Sequence, residues 1–394
     1  MRTYTVLRDL TDASTGEPFG GAASLDAPDL GAVGLRVDTE RLDKADVRSI
    51  SRDPSVRAIA PVMPTTLVHP VDQAEDHDGE AGGTAWGVTA VGADRSARSG
   101  AGVVVAVLDT GIDASHPAFT GVTLTQVDFS GSGNGDKQGH GTHCAGTVFG
   151  RDVGGTRIGV APGVEQALIG KVLGDDGSGD SDMIFRGIQW ALDNHAQVLS
   201  MSLGFDFPGL VEDLTGQGWP ADLATSVALE AYRANLRMFD ALMAVARGRE
   251  PFGGGCVLVA AAGNESRRTV DPDYEIAVSI PAAADGVVSV GALGESPGGL
   301  QVAPFSNTFP QVSGPGVKVL SAKVGGGLAT LSGTSMATPH VAGVTALWWE
   351  ELAASNVPLS ARAATAKVLA TATTAGLADG VDPADRGLGL VQAP

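Results

Sequence analysis

The order of apolar and polar positions divides the chain into three stretches. In the first, residues 1 to about 70, strand-length apolar runs at residues 3–7 and 32–37 precede a short helical pattern over 44–52 and a third run over 56–63. Strands separated by a short helix predict a small α+β domain over residues 1–70. The second stretch, residues 71–84 (VDQAEDHDGEAGGT), is acidic, contains glycine and has no period, so it reads as a linker. From residue 85 to 394 continuous apolar runs alternate with helical stretches: VVVAVLD, a helix after Gly141, QALIGKVL, a helix over 183–193, and QVLSMSL. Strands that are apolar at every position are covered on both faces, and helices between them predict a mostly parallel α/β sheet.

Within the third stretch, residues 205–254 separate two sheet strands with far more chain than a connection needs. Leu229, Tyr232, Leu236, Phe239, Leu242, Met243 and Ala246 follow helical spacing, with Glu230, Arg233, Arg237 and Asp240 between them. This predicts an amphipathic helix of about five turns over residues 229–246, its stripe covered most simply by a neighbouring surface helix.

Composition narrows the function classes. Acidic residues outnumber basic ones by 45 to 26, a formal net charge of −19. Such a chain lacks the basic face that displaces counterions from nucleic acid, and anionic lipid repels it. A hydrophobic fraction of 43% allows a large core, and a charged fraction of 18% is too low for a disordered acidic chain. No apolar run reaches the roughly 18 residues of a membrane span. Neither nucleic acid nor membrane is therefore expected as a partner. The opening MRTYTVLRDLTD puts acid and polar residues where a signal peptide needs an apolar stretch, which favours the cytoplasm. Two cysteines, Cys144 and Cys256, make no disulfide framework and are expected as free thiols.

Four polar residues stand where sheet and helix packing alone would not put them. Asp109 ends VVVAVL before Thr110-Gly111, at the strand end where parallel sheets bind ligands; such an aspartate also caps helices. His140 lies in GHGTHCAGT, whose glycines let a helix start close against its neighbours. Ser335, in SGTSMATPHVAG, follows a glycine turn that resembles a nucleophile elbow at a helix N-terminus, and it equally suits an N-cap. Asn264, in VAAAGNES, leaves an amide at the end of the apolar strand over 257–262, or simply sits in a turn.

Taken together, the order Asp109, His140, Asn264, Ser335 resembles the subtilases, the subtilisin-like serine proteases. D-T-G-I-D-x-x-H-P, H-G-T-H-C-A-G-T, A-A-G-N and G-T-S-M-A-T-P-H each resemble the family pattern, and the likeness spans residues 86–393. It implies a subtilisin-like three-layer α/β fold with a mostly parallel central sheet, and a serine endopeptidase that needs no cofactor. Ser335 would attack a peptide carbonyl, His140 take its proton and Asp109 hold the imidazole. The Asn264 amide and the Ser335 backbone N–H would form the oxyanion hole. Gly177, Ser178 and Gly179 would make one wall of the substrate cleft and Ser202, Leu203 and Gly204 the other, with Ala261, Ala262 and Gly263 lining it. Strand addition between the walls implies a peptide or unfolded-protein substrate.

Rival readings are weaker. Asp109-Thr110-Gly111 is also an aspartic-protease signature, but no second D-[TS]-G follows. His140 and His143 have metal-ligand spacing without an HExxH. A transpeptidase or cyclase would use the same three residues. A non-catalytic peptide-binding homologue would keep the fold, but such proteins usually lose one of the three.

Residues 1–70, above all LDKADVRSISRDPSVRAIAPV, resemble the family's inhibitory propeptide. The likeness implies a self-inhibited zymogen, with VMPTTLVHPV lying through the cleft and cleavage between residues 69 and 84. At the family's usual calcium positions stand Ala118, Val153, Phe309 and Gln311, mostly unable to supply the oxygen ligands calcium requires, so no metal is expected there. Asp271, Asp273 and Glu275 read as a solvated acidic loop. The 205–254 segment starts directly after one cleft wall and is expected to act as a lid, or else to be a structural decoration, with Phe205, Phe207, Pro208, Pro251 and Phe252 either packed on the body or lining the rim of the cleft.

Overall fold

The structure, a computed structural model, describes residues 1–10, 34–71, 75–77, 82–355 and 357–394. Strand β1 (Arg2–Asp9) pairs antiparallel with both β2 (Leu35–Leu42) and, after helix α1 (Lys44–Ile50), β3 (Val56–Pro61). Asp43 opens α1 by accepting the Ala45 and Asp46 N–H groups while Asp46 accepts the Asp43 N–H, which satisfies donors the helix itself cannot. The run expected over 32–37 is strand only from Leu35, and it continues through polar residues to Leu42; Ala32 and Val33 lie outside the described residues. Pairing outweighs the apolar run here, because β1 offers a partner to every residue of β2, and Arg8 holds Asp38 and Glu40 at 2.6 and 2.8 Å.

Next come three short strands, β4 (Pro64–Leu67), β5 (Glu75–His77) and β6 (Gly83–Thr84). Two of them fall in the segment read as a linker. That reading is corrected in part: an acidic stretch without a period still carries backbone donors and acceptors, and through these β5 adds to the β18-β19 hairpin while β6 pairs with β9. Residues 72–74 and 78–81 lie outside the described residues.

The body follows as α2 (Trp86–Ala90), β7 (Val104–Asp109), β8 (Thr123–Asp128), α3 (His140–Phe149), β9 (Thr156–Arg157), β10 (Gln166–Lys171), β11 (Ser178–Asp180), α4 (Ser181–Asp193), β12 (Val198–Met201) and β13 (Leu203–Phe205). After α5 (Phe207–Gly216) and α6 (Ala221–Gly253) come β14 (Val257–Ala261), β15 (Val288–Ser296), β16 (Gly299–Val302), β17 (Val312–Pro315), β18 (Val319–Ala322), β19 (Leu328–Leu331), α7 (Thr334–Ala353) and α8 (Ala361–Thr371). The main sheet runs β16-β15-β14-β12-β7-β10-β8, with β17 also on β15. All its pairings are parallel except β15 with β16.

Strand periodicity sorts the core into two faces. Val105, Val107, Val257 and Val259 point to one, shared with α3, α7 and α8. Ala106, Leu108, Leu258 and Ala260 point to the other, shared with α4, α6 and the N-terminal strands. Each such side chain contributes about 1.5–3 kcal/mol by leaving water. The layers are therefore helix, sheet and helix, and the N-terminal sheet closes the second face: Leu7, Leu35, Val37 and Ala60 join Phe185 and Phe239 in one cluster.

The insertion helix differs from its sequence reading. It spans Ala221–Gly253, longer than the expected 229–246, and Leu229 is exposed. The buried stripe is Ala224, Ala228, Ala231, Asn235, Met238, Phe239, Leu242 and Met243. Its alanines let strand β3 come close, and Asn235 Nδ2 donates to the Pro61 carbonyl at 2.9 Å. What covers the helix is thus the N-terminal sheet as well as α5. Of the aromatics expected either on the body or at the rim, two pack on the body. Phe205 turns its ring to Phe239 at 5.9 Å and Phe207 to Tyr232 at 6.1 Å, both inward. Pro208 and Pro251 lie within α5 and α6, and the Phe252 side chain lies outside the described residues.

Candidate functional site

The carboxyl ends of β7 and β14 and the first turns of α3 and α7 meet at one edge of the main sheet. Asp109 closes β7. Thr110, the next residue, accepts the Gly141 N–H on its hydroxyl at 3.0 Å and donates to Asp136 at 3.0 Å. The buried Asp136 carboxylate also accepts the N–H groups of Gly139 and Thr142 and the Thr142 hydroxyl. One carboxylate therefore ties the end of β7 to the start of α3. Gly139 enters the helix at φ +95°, a left-handed conformation that glycine adopts without strain. A side chain on Gly141 would collide with the Gly111 carbonyl.

This scaffold sets His140 Nδ1 at 2.8 and 3.0 Å from the two Asp109 oxygens, both residues at most 2% exposed. Burial alone would disfavour the imidazolium, but the adjacent Asp109 carboxylate outweighs it and holds the His140 pKa well above its ordinary value. His143, one turn on, is different. Burial, with the neighbouring His140 charge, pushes it down to about 3, and its Nε2 lies 3.1 and 3.2 Å from the Val319 and Ala329 carbonyls. It pins β18 and β19 to α3.

Asn264 follows β14. Its Oδ1 accepts both the N–H and the hydroxyl of Thr334, the first residue of α7, at 2.9 and 2.8 Å. Two donors on Oδ1 fix the amide orientation and aim Nδ2 outward. Gly333 keeps the approach open: a Cβ there would stand 3.0 Å from Asn264 Nδ2 and 3.6 Å from the Ser335 backbone nitrogen. Ser335, fully buried in the first turn of α7, donates its hydroxyl to the Val68 carbonyl at 2.8 Å and lies 3.4 Å from the Ser202 carbonyl. Its hydroxyl is engaged with the N-terminal segment, and among the described residues no hydrogen bond joins it to His140.

That segment threads the site. Strand β4 pairs antiparallel with β11 on one side and β13 on the other: Thr66 opposite Ser178 and Gly204, Thr65 opposite Gly179 and Phe205, and Leu67 opposite Leu203. The Leu67 N–H reaches the Gly177 carbonyl at 2.9 Å. Beyond it, Asn264 Nδ2 donates to the His69 carbonyl at 2.9 Å, one residue past the carbonyl that Ser335 holds. Ser202 faces Ser335 instead, its hydroxyl donating to the Ser335 carbonyl at 3.0 Å. Ala261 and Ala262 are fully buried behind this edge, and the Gly263 N–H reaches the Thr334 hydroxyl, so these three back the site and do not pair with β4.

Sequence reasoning passed over two groups. Asp136, four residues before His140, is the organiser just described; a carboxylate in a glycine-rich turn was its only signal. Cys144, one helical turn after His140, sits with its sulfur 3.7 Å from His140 Nδ1 and 3.5 Å from the Ser335 carbonyl. Burial pushes the Cys144 thiol pKa up, so it is a neutral neighbour.

Asp109, His140 and Cys144 offer ligand atoms within 4.8 Å of one another. The imidazole nitrogen that would face a metal is already committed to Asp109, and a thiol with a raised pKa is a poor ligand. Glu275 is held by Arg268 at 3.0 Å, and the Asp273 N–H closes on Asp271, so that loop has local partners. Adding a chelator is expected to leave the thermal unfolding midpoint unchanged in a scan; a clear drop would reveal a bound cation.

The Subtilase family model matches residues 100–389. The chain is 33% identical over 311 residues to a thermostable alkaline protease of Halalkalibacterium halodurans, covering 78% of this chain and 70% of that protein. It is 34% identical over 258 residues to an intracellular serine protease of Paenibacillus polymyxa, covering 63% and 67%. Against subtilisin DY of Bacillus licheniformis it is 34% identical over 267 residues, covering 66% and 83%.

Proposed function

The chain belongs to the subtilase family of serine proteases, and on that premise we propose that it cleaves peptide bonds through an acyl-enzyme on Ser335 and is made as a self-inhibited zymogen. The observation that carries the reading is the seat of the N-terminal segment: a polypeptide strand held between β11 and β13, with consecutive carbonyls at Ser335 Oγ and Asn264 Nδ2.

For a substrate in that seat, the Ser335 hydroxyl turns from the Val68 carbonyl to His140. Its proton passes to His140 Nε2 as the oxygen attacks the carbonyl carbon. Asp109 on Nδ1 keeps the tautomer correct and stabilises the imidazolium that forms. The tetrahedral oxygen takes the Asn264 amide and the Ser335 N–H, donors already placed before the charge develops. Collapse returns the proton to the leaving amine, and water then repeats the sequence on the ester. Recognition through backbone ladders on both walls favours unfolded protein and peptides over folded ones.

Self-inhibition follows from the same hydrogen bonds. Attack requires nucleophile and amide donor on one carbonyl, whereas here Ser335 holds Val68 and Asn264 holds His69. Residue 70, next in line, is proline, with no N–H to hold the leaving side. Tethering gives the segment an effective concentration on the order of millimolar, so modest affinity keeps the cleft filled. Separately expressed residues 1–70 are expected to inhibit the processed enzyme at micromolar concentration; no inhibition there would reduce the N-terminal unit to an accessory domain.

A fluorophosphonate tests the proposal in one measurement. Intact-mass analysis should show the adduct on processed wild-type protein and none on Ser335→Ala, with a new N-terminus after residue 69. Labelling of both proteins, or of neither, would refute the assignment.

A further inference from the structure

The segment that fills the cleft does not leave the body at the nucleophile. Past the His69 carbonyl, the Val71 N–H donates to the Ser332 carbonyl at 2.9 Å. Ser332 directly follows β19 and precedes Ser335 by three residues. Further along, β5 lies antiparallel on β19, with Glu75 opposite Thr330, Asp76 opposite Ala329 and His77 opposite Leu328. The described contacts therefore lie along one edge, Val71 at Ser332 and residues 75–77 opposite 330–328.

That edge is rigidly built. On its other side β19 pairs with β18 from Leu331 to Leu328. His143 Nε2 reaches a carbonyl of each strand and ties the hairpin to the helix that carries His140. The Lys318 N–H bonds the Ser332 hydroxyl and the Gly333 N–H the Gly316 carbonyl, at 3.0 and 2.7 Å. A cavity of about 310 Å³ borders this edge, lined in part by Pro70, Gln138, His140, Ala329 and Leu331.

We propose that the β19 edge with Ser332 is a second substrate-binding edge, which takes the leaving-side half of an extended polypeptide by backbone pairing to about eight residues past the cleaved bond. This rests on the protease reading above and deepens it. The occupant is indicated by continuity: a chain already seated as a strand on the acyl side continues onto this edge in the antiparallel sense. Backbone pairing at both ends selects length and extension and leaves residue identity free. A long unstructured chain can occupy both the places held by residues 64–71 and by 75–77; a short peptide can occupy only one of them.

The test compares three peptides that share their residues up to the cleaved bond. The first ends two residues beyond it and the second ten residues beyond it. The third matches the second but carries backbone N-methyl groups on the residues six to eight past the bond. Processed enzyme, from which the N-terminal segment has been removed, cleaves each, with the Ser335→Ala protein as the blank. The long peptide is expected to exceed the short one in kcat/KM by about tenfold, mainly through KM, and N-methylation should erase the gain. Equal rates for short and long peptides would overturn the second edge, as would a gain that survives N-methylation, while leaving the protease reading intact. No cleavage above the Ser335→Ala blank would take down both.

Discussion

Replacing Ser335 by alanine is expected to lower peptide-bond hydrolysis about 10⁶-fold, the size of the loss when subtilisin is deprived of its nucleophile. The fold should persist. Alanine suits the first turn of α7 at least as well as serine, and the change deletes one hydroxyl that reaches the Val68 carbonyl at 2.8 Å and the Ser202 carbonyl at 3.4 Å. The backbone carbonyl of residue 335 keeps its bond from Ser202 Oγ. Leaving the Val68 carbonyl short of a partner costs on the order of 1–3 kcal/mol. Hydrolysis of casein and a thermal scan on the same preparation separate the two effects. Residual cleavage by the purified variant would show that another group attacks the substrate.

Asp109→Asn should cost about 10⁴-fold in turnover, because an amide favours the wrong imidazole tautomer, and it should also move the pH profile. In the native protein the Asp109 carboxylate overcomes burial and raises the His140 pKa. The general base must be neutral, so the acid limb of kcat/KM belongs above the ordinary histidine value of about 6.5. Removing the charge moves that limb to lower pH. Stability carries the opposite sign of the same effect. A raised folded-state pKa stabilises fully below about 6.5, and the contribution fades as pH climbs through the raised value. Unfolding midpoints against pH should show that loss in the native protein and not in Asp109→Asn. An unmoved acid limb would mean that His140 is not the titrating base.

Family and sheet architecture were legible because their signals are local. Asp109 ends a run of apolar residues, His140 and Ser335 sit in glycine turns, and the same turns that mark them in sequence build the first turns of α3 and α7. The insertion helix was legible in kind and at Phe239, Leu242 and Met243, which are buried as expected, but not towards its start. Spacing placed Leu229 with Leu236 and Phe239, whereas the actual stripe passes through Ala224, Ala228 and Asn235. Small and amide residues carry no hydropathy signal, and only the partner strand β3 decides which side they face. Strands β5 and β6 were invisible for a related reason: β5 exists because the β18-β19 hairpin leaves an edge open, and β6 pairs only with the two-residue β9, far along the chain. The division of labour between Val68 and His69 depends on register to a single residue, which no sequence periodicity reports.

The order of strands in the main sheet bears on how long the molecule takes to form and to fail. Strand β7 lies inside the sheet, yet its neighbours β10 and β12 arrive about sixty and ninety residues later in the chain. Ends so far apart must be brought together before any of these pairings repays the lost chain freedom, which makes such a sheet slow to nucleate. Conversely, no strand can peel away without opening contacts contributed by remote parts of the chain. Endurance in such a molecule is governed by the rate of opening rather than by the equilibrium between folded and unfolded chains.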